Sequence, residues 1–211
     1  MPAKFPILGI LTQQMPVTSL DQLDLSRTYT YEAYASWQVE ERIELLEGHI
    51  HLMSPAPNLQ HQRVSGNLFL ILGTYCKHRP CELFAAPFDV RLPAPGSAPD
   101  SPVSTVVQPD LCVVCDPAKL DEHGCIGAPD LVIEILSPGN SRKELREKYR
   151  IYESSGVREY WVVSPHERYL SRFVRDAQGT FAGMAPLTDE DLLETSLFPE
   201  LSVPMREVFG E

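Results

Sequence analysis

The sequence predicts an α+β fold built on a mixed sheet, with a helix and a hairpin added on the N-terminal side, and three observations carry that prediction. Apolar stretches of strand length recur at 82–92, 105–115, 128–140 and 159–164. Between the last two lies S-R-K-E-L-R-E-K-Y-R-I-Y-E-S-S-G, which carries signals for both ends of a helix. Ser141 stands as N-cap with Glu144 three residues on, and Gly156 stands just past the last turn. A strand, a helix and a further strand make that helix a crossover onto the sheet.

The elements follow in order. Residues 1–27 are polar and Pro-containing and read as an N-terminal arm, leaving 28–211 as one domain. T-Y-T-Y-E-A-Y-A-S-W at 28–37 predicts a short helix that Thr28 or Thr30 can cap. R-I-E-L-L-E-G-H-I-H-L-M-S at 42–54 predicts a hairpin turning at Glu47-Gly48, with Ile43, Leu45, Ile50 and Leu52 alternating with polar residues. In 59–75 the spacing of Leu68, Leu72 and Tyr75 predicts a helix lying on the core. The segments 82–92 and 105–115 each read as one strand, separated by the Pro-rich loop P-A-P-G-S-A-P-D-S-P. A loop at 116–128 leads into the 128–140 strand, and strand-like Y-L-S-R-F-V-R at 169–175 and L-S-V-P-M at 201–205 complete the chain.

Composition bounds the function. A chain of 211 residues with 43% hydrophobic content buries a real core. No run of eighteen apolar residues is present, and K-F-P-I-L-G-I-L-T near the start is short, broken by Pro6 and without a small-residue cleavage site, which predicts a cytoplasmic protein and no membrane span. Five cysteines at irregular spacing predict reduced thiols. The formal net charge of −11 excludes binding of nucleic acid by a general basic surplus. The one dense basic run, R-K-E-L-R-E-K-Y-R at 142–150, is interleaved with acids and reads as a solvated helix face.

The residues that carry chemistry are acids set in apolar strands. In A-P-D-L-V-I-E-I-L-S-P-G-N, strand alternation puts Glu134 on one face with Val132 and Leu136, while Leu131, Ile133 and Ile135 take the other. An isolated buried carboxylate costs several kcal/mol unless a cation or hydrogen-bond donors meet it. Asp110, in V-V-Q-P-D-L-C-V-V, has a similar apolar setting on the preceding strand. Two such acids converging from neighbouring strands suit a hard divalent cation such as Mg²⁺. Lys148 falls inside the Leu145, Tyr149, Tyr152 stripe that faces the sheet, where its ammonium can reach both carboxylates and a bound phosphate.

These motifs form a set: Q-P-D-L, P-D-L-V-I-E-I-L-S-P, a lysine-bearing helix ending K-Y-x-x-Y-x-x-x-G-V, then E-Y-W-V-V, with R-I-E-L-L-E-G-H-I and His61 upstream. The set resembles the Uma-type restriction endonuclease family of the PD-(D/E)XK nuclease superfamily, over roughly residues 28–175. The resemblance implies a restriction endonuclease-like core, in which a strand meander carrying the acids is followed by a helix and a strand. It also implies Mg²⁺-dependent (or Mn²⁺-dependent) hydrolysis of phosphodiester bonds in double-stranded DNA. Residue by residue, Asp110 matches the motif aspartate and Glu134 the motif glutamate, which makes both of them metal ligands as well as catalytic residues. The standard motif lysine would stand where this chain has Leu136, so Lys148 takes its place from the following helix. Glu44 matches an acid that the family places near the site, in preference to Glu47, and His61 resembles a family histidine of undefined role. A homodimer follows from the need to cut two strands with two sites related by two-fold symmetry.

Plainer readings stand beside these. Taken alone, Asp110 after Pro109 reads as a turn residue, Glu44 as a solvent-facing hairpin residue and His61 as a surface histidine. Glu134 and Lys148 could form a metal-free ion pair, and the alternative function is a catalytically inactive nuclease-fold protein that binds or regulates. C-V-V-C at 112–115 with His123 and Cys125 invites a zinc site, but strand positions i and i+3 point to opposite faces and oppose it, and free cysteines packed as small hydrophobes are the better account. Tyr160 and Trp161 read as core, with base stacking by one of them as the alternative.

Overall fold

The computed structural model describes residues 16–53, 58–138 and 142–210. The expected cap Ser141, the start of the loop after the hairpin and most of the arm 1–27 lie outside the described residues. A 3₁₀ turn at Leu20–Gln22 precedes α1, Tyr31–Tyr34, a single turn that begins after Thr30 without a side-chain capping bond. The hairpin β1 (Ile43–Leu46) and β2 (His49–Leu52) turns at Glu47-Gly48, both with positive φ, the geometry a two-residue hairpin loop demands. A Cβ on Gly48 would stand 3.0 Å from the Cβ of Thr28 and 3.2 Å from the Tyr29 carbonyl, so only glycine fits.

Helix α2 (Leu59–Cys76) is capped by Asn58, whose Oδ1 accepts from His61 N at 2.9 Å. Then come β3 (Glu82–Ala85), β4 (Val90–Leu92), β5 (Thr105–Val107) and β6 (Leu111–Val114), a 3₁₀ turn at Pro117–Lys119, β7 (Leu120–Asp121), β8 (Gly124–Ile126) and β9 (Leu131–Ile135). The crossover helix α3 (Arg142–Ser155) leads to β10 (Glu159–Ser164), β11 (Tyr169–Arg175), β12 (Phe181–Gly183), β13 (Leu187–Thr188), β14 (Leu192–Glu194), β15 (Ser202–Pro204) and α4 (Met205–Phe209).

The strands form two large mixed sheets instead of one, and β14 and β15 pair by themselves. One runs β2-β1-β5-β4-β8-β7; the other runs β12-β11-β10-β9-β6-β3, with β13 beside β11. As expected, α3 connects the parallel pair β9 and β10. Leu131, Ile133 and Ile135 of β9 pack with Leu68 and Leu72 of α2 in one core. Val132, on the opposite face, packs with Ile151 and Tyr152 of α3 and with Leu46 and Val107 of the other sheet in a second core. Tyr160 and Trp161 are both buried, which settles the alternative of a base-stacking role for either.

Two predicted strands are corrected. The segment 82–92 divides into β3 and β4 around the cis Ala86-Pro87 bond, and 105–115 divides into β5 and β6 around Gln108-Pro109-Asp110. Proline lacks the donor a ladder needs, so each segment ends its pairing there and passes from one sheet to the other. The predicted loop 116–128 contains β7 and β8. The expectation of reduced thiols fails for one pair, since Cys81 and Cys115 form a disulfide. The antiparallel register sets Glu82 opposite Val114, so the flanking Cys81 and Cys115 meet across the end of the same ladder. Cys76, Cys112 and Cys125 are free and buried.

Candidate active site

The site forms where the two sheets part. At the bend around Pro109 the Gln108 backbone N–H turns to Glu44 and donates to its Oε1 at 2.8 Å. Glu44 projects from β1 and is 1% exposed, so the reading of a solvent-facing hairpin residue is wrong, whereas Glu47 stands exposed in the turn. Glu134 projects from β9 on the α3 side, as strand alternation predicts. Lys148, in the middle of α3, is 3% exposed and completes the group.

The Lys148 ammonium lies 3.0 Å from Glu134 Oε1 and 3.0 Å from both oxygens of Glu44. The Tyr152 hydroxyl donates to the same Glu134 oxygen at 2.6 Å. Asp110, from the bend, accepts the Ile135 N–H at 2.7 Å through Oδ2 and meets His61 Nε2 at 3.3 Å through Oδ1. His61 is buried in the first turn of α2, which corrects the surface reading, and its Nδ1 is buried without a partner among the described residues. Glu44, His61, Asp110, Glu134 and Lys148 all line one cavity of about 60 Å³, with Leu136 in its wall where the standard motif lysine would stand. That is room for a few water-sized particles.

The electrostatics follow from the count of charges. Glu44 and Glu134 share the Lys148 ammonium, while Asp110 meets His61, and the same cavity is lined by two further charges of opposite sign, Glu144 and Arg42. Burial pushes the Glu134 carboxyl up to about 7; the Lys148 charge opposes this, while the Asp110 and Glu44 charges add to it. For Lys148, burial acts against the ammonium, but its ion pairs and hydrogen bonds with Glu134 and Glu44 prevail and hold the group charged well above the ordinary lysine range. Burial also raises the Tyr152 hydroxyl, keeping it a neutral donor. Among the described residues, no three His, Cys, Asp or Glu side chains gather into a metal cage of their own.

A family model for Uma2, described as "Putative restriction endonuclease", matches residues 30–206. The chain belongs to the Uma2 family. Among solved structures it is similar to "a putative nuclease belonging to DUF820 from Anabaena variabilis ATCC 29413", with a TM-score of 0.67 and 20% identity over 86% of this chain and 97% of that one. At that identity the likeness concerns the fold, which is the mixed α+β nuclease fold the motifs imply. No curated protein matches the chain. No described helix of this Uma2 chain is long and apolar enough to cross a membrane. Sequence reasoning placed Tyr152 only as a core residue and did not assign the backbone of Gln108. The signal for the tyrosine was present, because position 152 is one helical turn from Lys148.

Proposed function

We propose that the protein is a metal-dependent endonuclease of the PD-(D/E)XK type that hydrolyses phosphodiester bonds in DNA, with Asp110 and Glu134 as metal ligands and Lys148 and Glu44 completing the catalytic group. The observation that carries this reading is the convergence of Glu44, Asp110, Glu134 and Lys148 from four separate elements on one small cavity with an excess of negative charge. The donor set fits a hard divalent cation such as Mg²⁺ or Mn²⁺, which commonly takes one or two carboxylates and fills its remaining positions with water and substrate phosphate. Glu134 supports the fit independently, because a carboxyl pushed up to about 7 by burial and its acidic neighbours is a carboxylate short of a cation. When bound, such an ion supplies Lewis acidity toward the phosphate and a water acidic enough to attack it.

The side chains of the protein do the rest. Lys148, held between Glu44 and Glu134, fixes the orientation of the Glu134 carboxylate and sets a permanent positive charge beside the phosphate, where negative charge grows in the transition state. Glu44, anchored by the Gln108 N–H, keeps Lys148 in place. His61 and the Ile135 N–H orient Asp110. The Tyr152 hydroxyl holds Glu134 Oε1. A homodimer would present two such sites to the two strands of a duplex, which sedimentation of the full chain tests.

Conversion of supercoiled plasmid to nicked and linear forms tests the proposal, in Mg²⁺, Mn²⁺ or EDTA. Cleavage is expected with either metal, absent in EDTA, and lost in Asp110→Ala, Glu134→Ala and Lys148→Ala that fold as wild type does. Metal-independent cutting, or cutting unchanged in Asp110→Ala and Glu134→Ala, would overturn it. A protein inert on all DNA would leave the alternative, a nuclease fold that binds or regulates.

A further inference from the structure

The stretch T-Y-T-Y-E-A-Y-A-S-W carries four aromatic rings in ten residues, and the chemistry at the carboxylates uses none of them. Because α1 is a single turn, its rings and Trp37 stay half-buried at the edge of the fold. Tyr31, Tyr34 and Trp37 line a second pocket of about 590 Å³, together with Arg42, Asp89 and Gln108. Arg42 and Gln108 also line the carboxylate cavity, so the two pockets share a wall.

The polar edge of this pocket is fixed by a small network. Gln108 Nε2 donates to Asp89 Oδ1 at 2.8 Å and to the Tyr34 hydroxyl oxygen at 3.2 Å, and that hydroxyl donates in turn to Asp89 Oδ1 at 3.3 Å. Arg42 Nη2 donates to Gln108 Oε1 at 3.3 Å. Asp89 Oδ2 makes no hydrogen bond among the described residues. The backbone N–H of the same Gln108 holds Glu44 in the catalytic group, so one residue spans both pockets. Trp37 is braced by the edges of Tyr29 and Tyr34, with ring centroids 5.1 Å and 5.8 Å away.

We infer that this pocket receives one unstacked nucleobase of the substrate, lying against the Tyr34 and Trp37 rings with a donor on its edge bonded to Asp89, beside the phosphate that is cut. The inference rests on the nuclease reading for its substrate but on different residues for its support. A nucleobase is flat, uncharged and carries N–H donors, which matches aromatic walls and a carboxylate acceptor; phosphate matches less well, since the three acids Glu40, Glu41 and Asp89 outnumber the Arg42 guanidinium, itself bonded to Gln108, in the same lining. A chain of net charge −11 also has no general basic surplus with which to neutralise a DNA backbone, and base stacking supplies affinity that net charge does not oppose. Two sources could present such a base, a nucleic-acid strand or a free nucleotide, and the test separates them.

Trp37 reports on its own pocket, because the other tryptophan, Trp161, is fully buried in the core. The fluorescence of the full chain is titrated with a short single-stranded oligonucleotide, the same strand made abasic, and a deoxynucleoside monophosphate. Cutting is prevented with EDTA, or by using Asp110→Asn in Mg²⁺. The base-bearing strand is expected to quench Trp37 and bind at least roughly tenfold tighter than the abasic strand or the mononucleotide, the loss that removal of one stacked base brings. Tyr34→Ala is expected to weaken binding by a similar factor, while Tyr34→Phe, which keeps the ring, retains most of it. Equal binding of the abasic strand overturns the inference on unmodified protein, whatever the variants do, and tight quenching by the mononucleotide alone assigns the pocket to a free nucleotide and overturns it too. Metal-dependent cleavage that needs Asp110 but ignores Tyr34→Ala would leave the nuclease reading standing and remove this one. Base-dependent quenching without any cleavage would do the reverse.

Discussion

Two glutamates sit buried in neighbouring central strands, and they are opposite in kind. Glu159 begins β10 at 1% exposure; its Oε1 accepts from the Trp161 indole N–H at 2.7 Å and its Oε2 from the Thr195 hydroxyl. Each oxygen has one neutral donor, and the result ties β10 to the segment after β14. Glu134, on β9, shares its Lys148 with Glu44, faces Asp110 across a cavity and is held near neutrality in its titration. A carboxylate buried in a strand therefore does not identify a site. An unbalanced group of carboxylates beside open space does, because folding alone gives no reason to gather them.

Removing the cation gives the largest expected effect. Lys148→Met leaves two buried carboxylates without their partner and is expected to destabilise the fold by about 3–5 kcal/mol, as breaking one side of a buried pair does. Adding Glu44→Gln should restore part of that loss, read by urea unfolding, without restoring cleavage. If Lys148→Met were as stable as wild type, the ion pairs at Glu44 and Glu134 would not be the force that holds α3 against the sheet.

The two glutamates separate more sharply when each is made an amide. Glu134→Gln is expected to lower plasmid cleavage by on the order of 10²-fold or more, since a charge aimed at the reacting group is lost, while stability changes little or rises. Glu159→Gln is expected to cost about 1–3 kcal/mol of stability, because an amide cannot accept at both oxygens, with cleavage within a few-fold of wild type. Comparable losses of cleavage in the two variants would erase the distinction.

How much of this distinction was legible in the sequence differs by residue. Glu134 and Lys148 break local patterns of period 2 and 3.6, so the chain itself exposes them. Their shared partner Glu44 was visible only through the family motifs. Glu44 occupies a polar position of a hairpin that would ordinarily face water, and its burial results from α3 and the Gln108 bend closing over β1. That bend was the larger miss. Reading 82–92 and 105–115 as unbroken strands ignored Pro87 and Pro109, yet those bends carry Asp89, Gln108 and Asp110 to the junction of the sheets. His61 was misplaced for a related reason, because burial of a helix N-terminus depends on what packs against it from elsewhere in the chain. The Cys81–Cys115 bridge likewise depends on the register of β3 against β6, which cysteine spacing does not encode.

The pH dependence sharpens the comparison further. The folded Glu134 carboxyl titrates at about 7, above its ordinary value of 4.5, so between these values the folded protein binds more protons than the unfolded chain. Stability should consequently fall as pH rises from about 4.5 through 7, by a few kcal/mol at most, since one proton held across each pH unit of that window is worth ~1.4 kcal/mol. Mg²⁺ should offset the fall at pH 8 and have little effect at pH 5, where protons already occupy the site. Thermal melting at several pH values, with and without Mg²⁺, checks both statements. Glu134→Gln should flatten the slope.

The smallest effect concerns the hydroxyl that each glutamate accepts. Thr195→Val removes a neutral donor from Glu159 and should cost about 1 kcal/mol, as the loss of one buried hydrogen bond does. Tyr152→Phe removes a donor from Glu134 Oε1 that favours the ionised form, so its cost should appear only where Glu134 is ionised. For a cost of about 1 kcal/mol the midpoint of the Glu134 titration would move up by roughly 0.7 on the pH scale, and the pH at which Mg²⁺ begins to stabilise the protein would move with it. A pH-independent cost in Tyr152→Phe would mean that the hydroxyl only packs against Glu134 and that burial, Lys148 and the neighbouring acids set its charge without it.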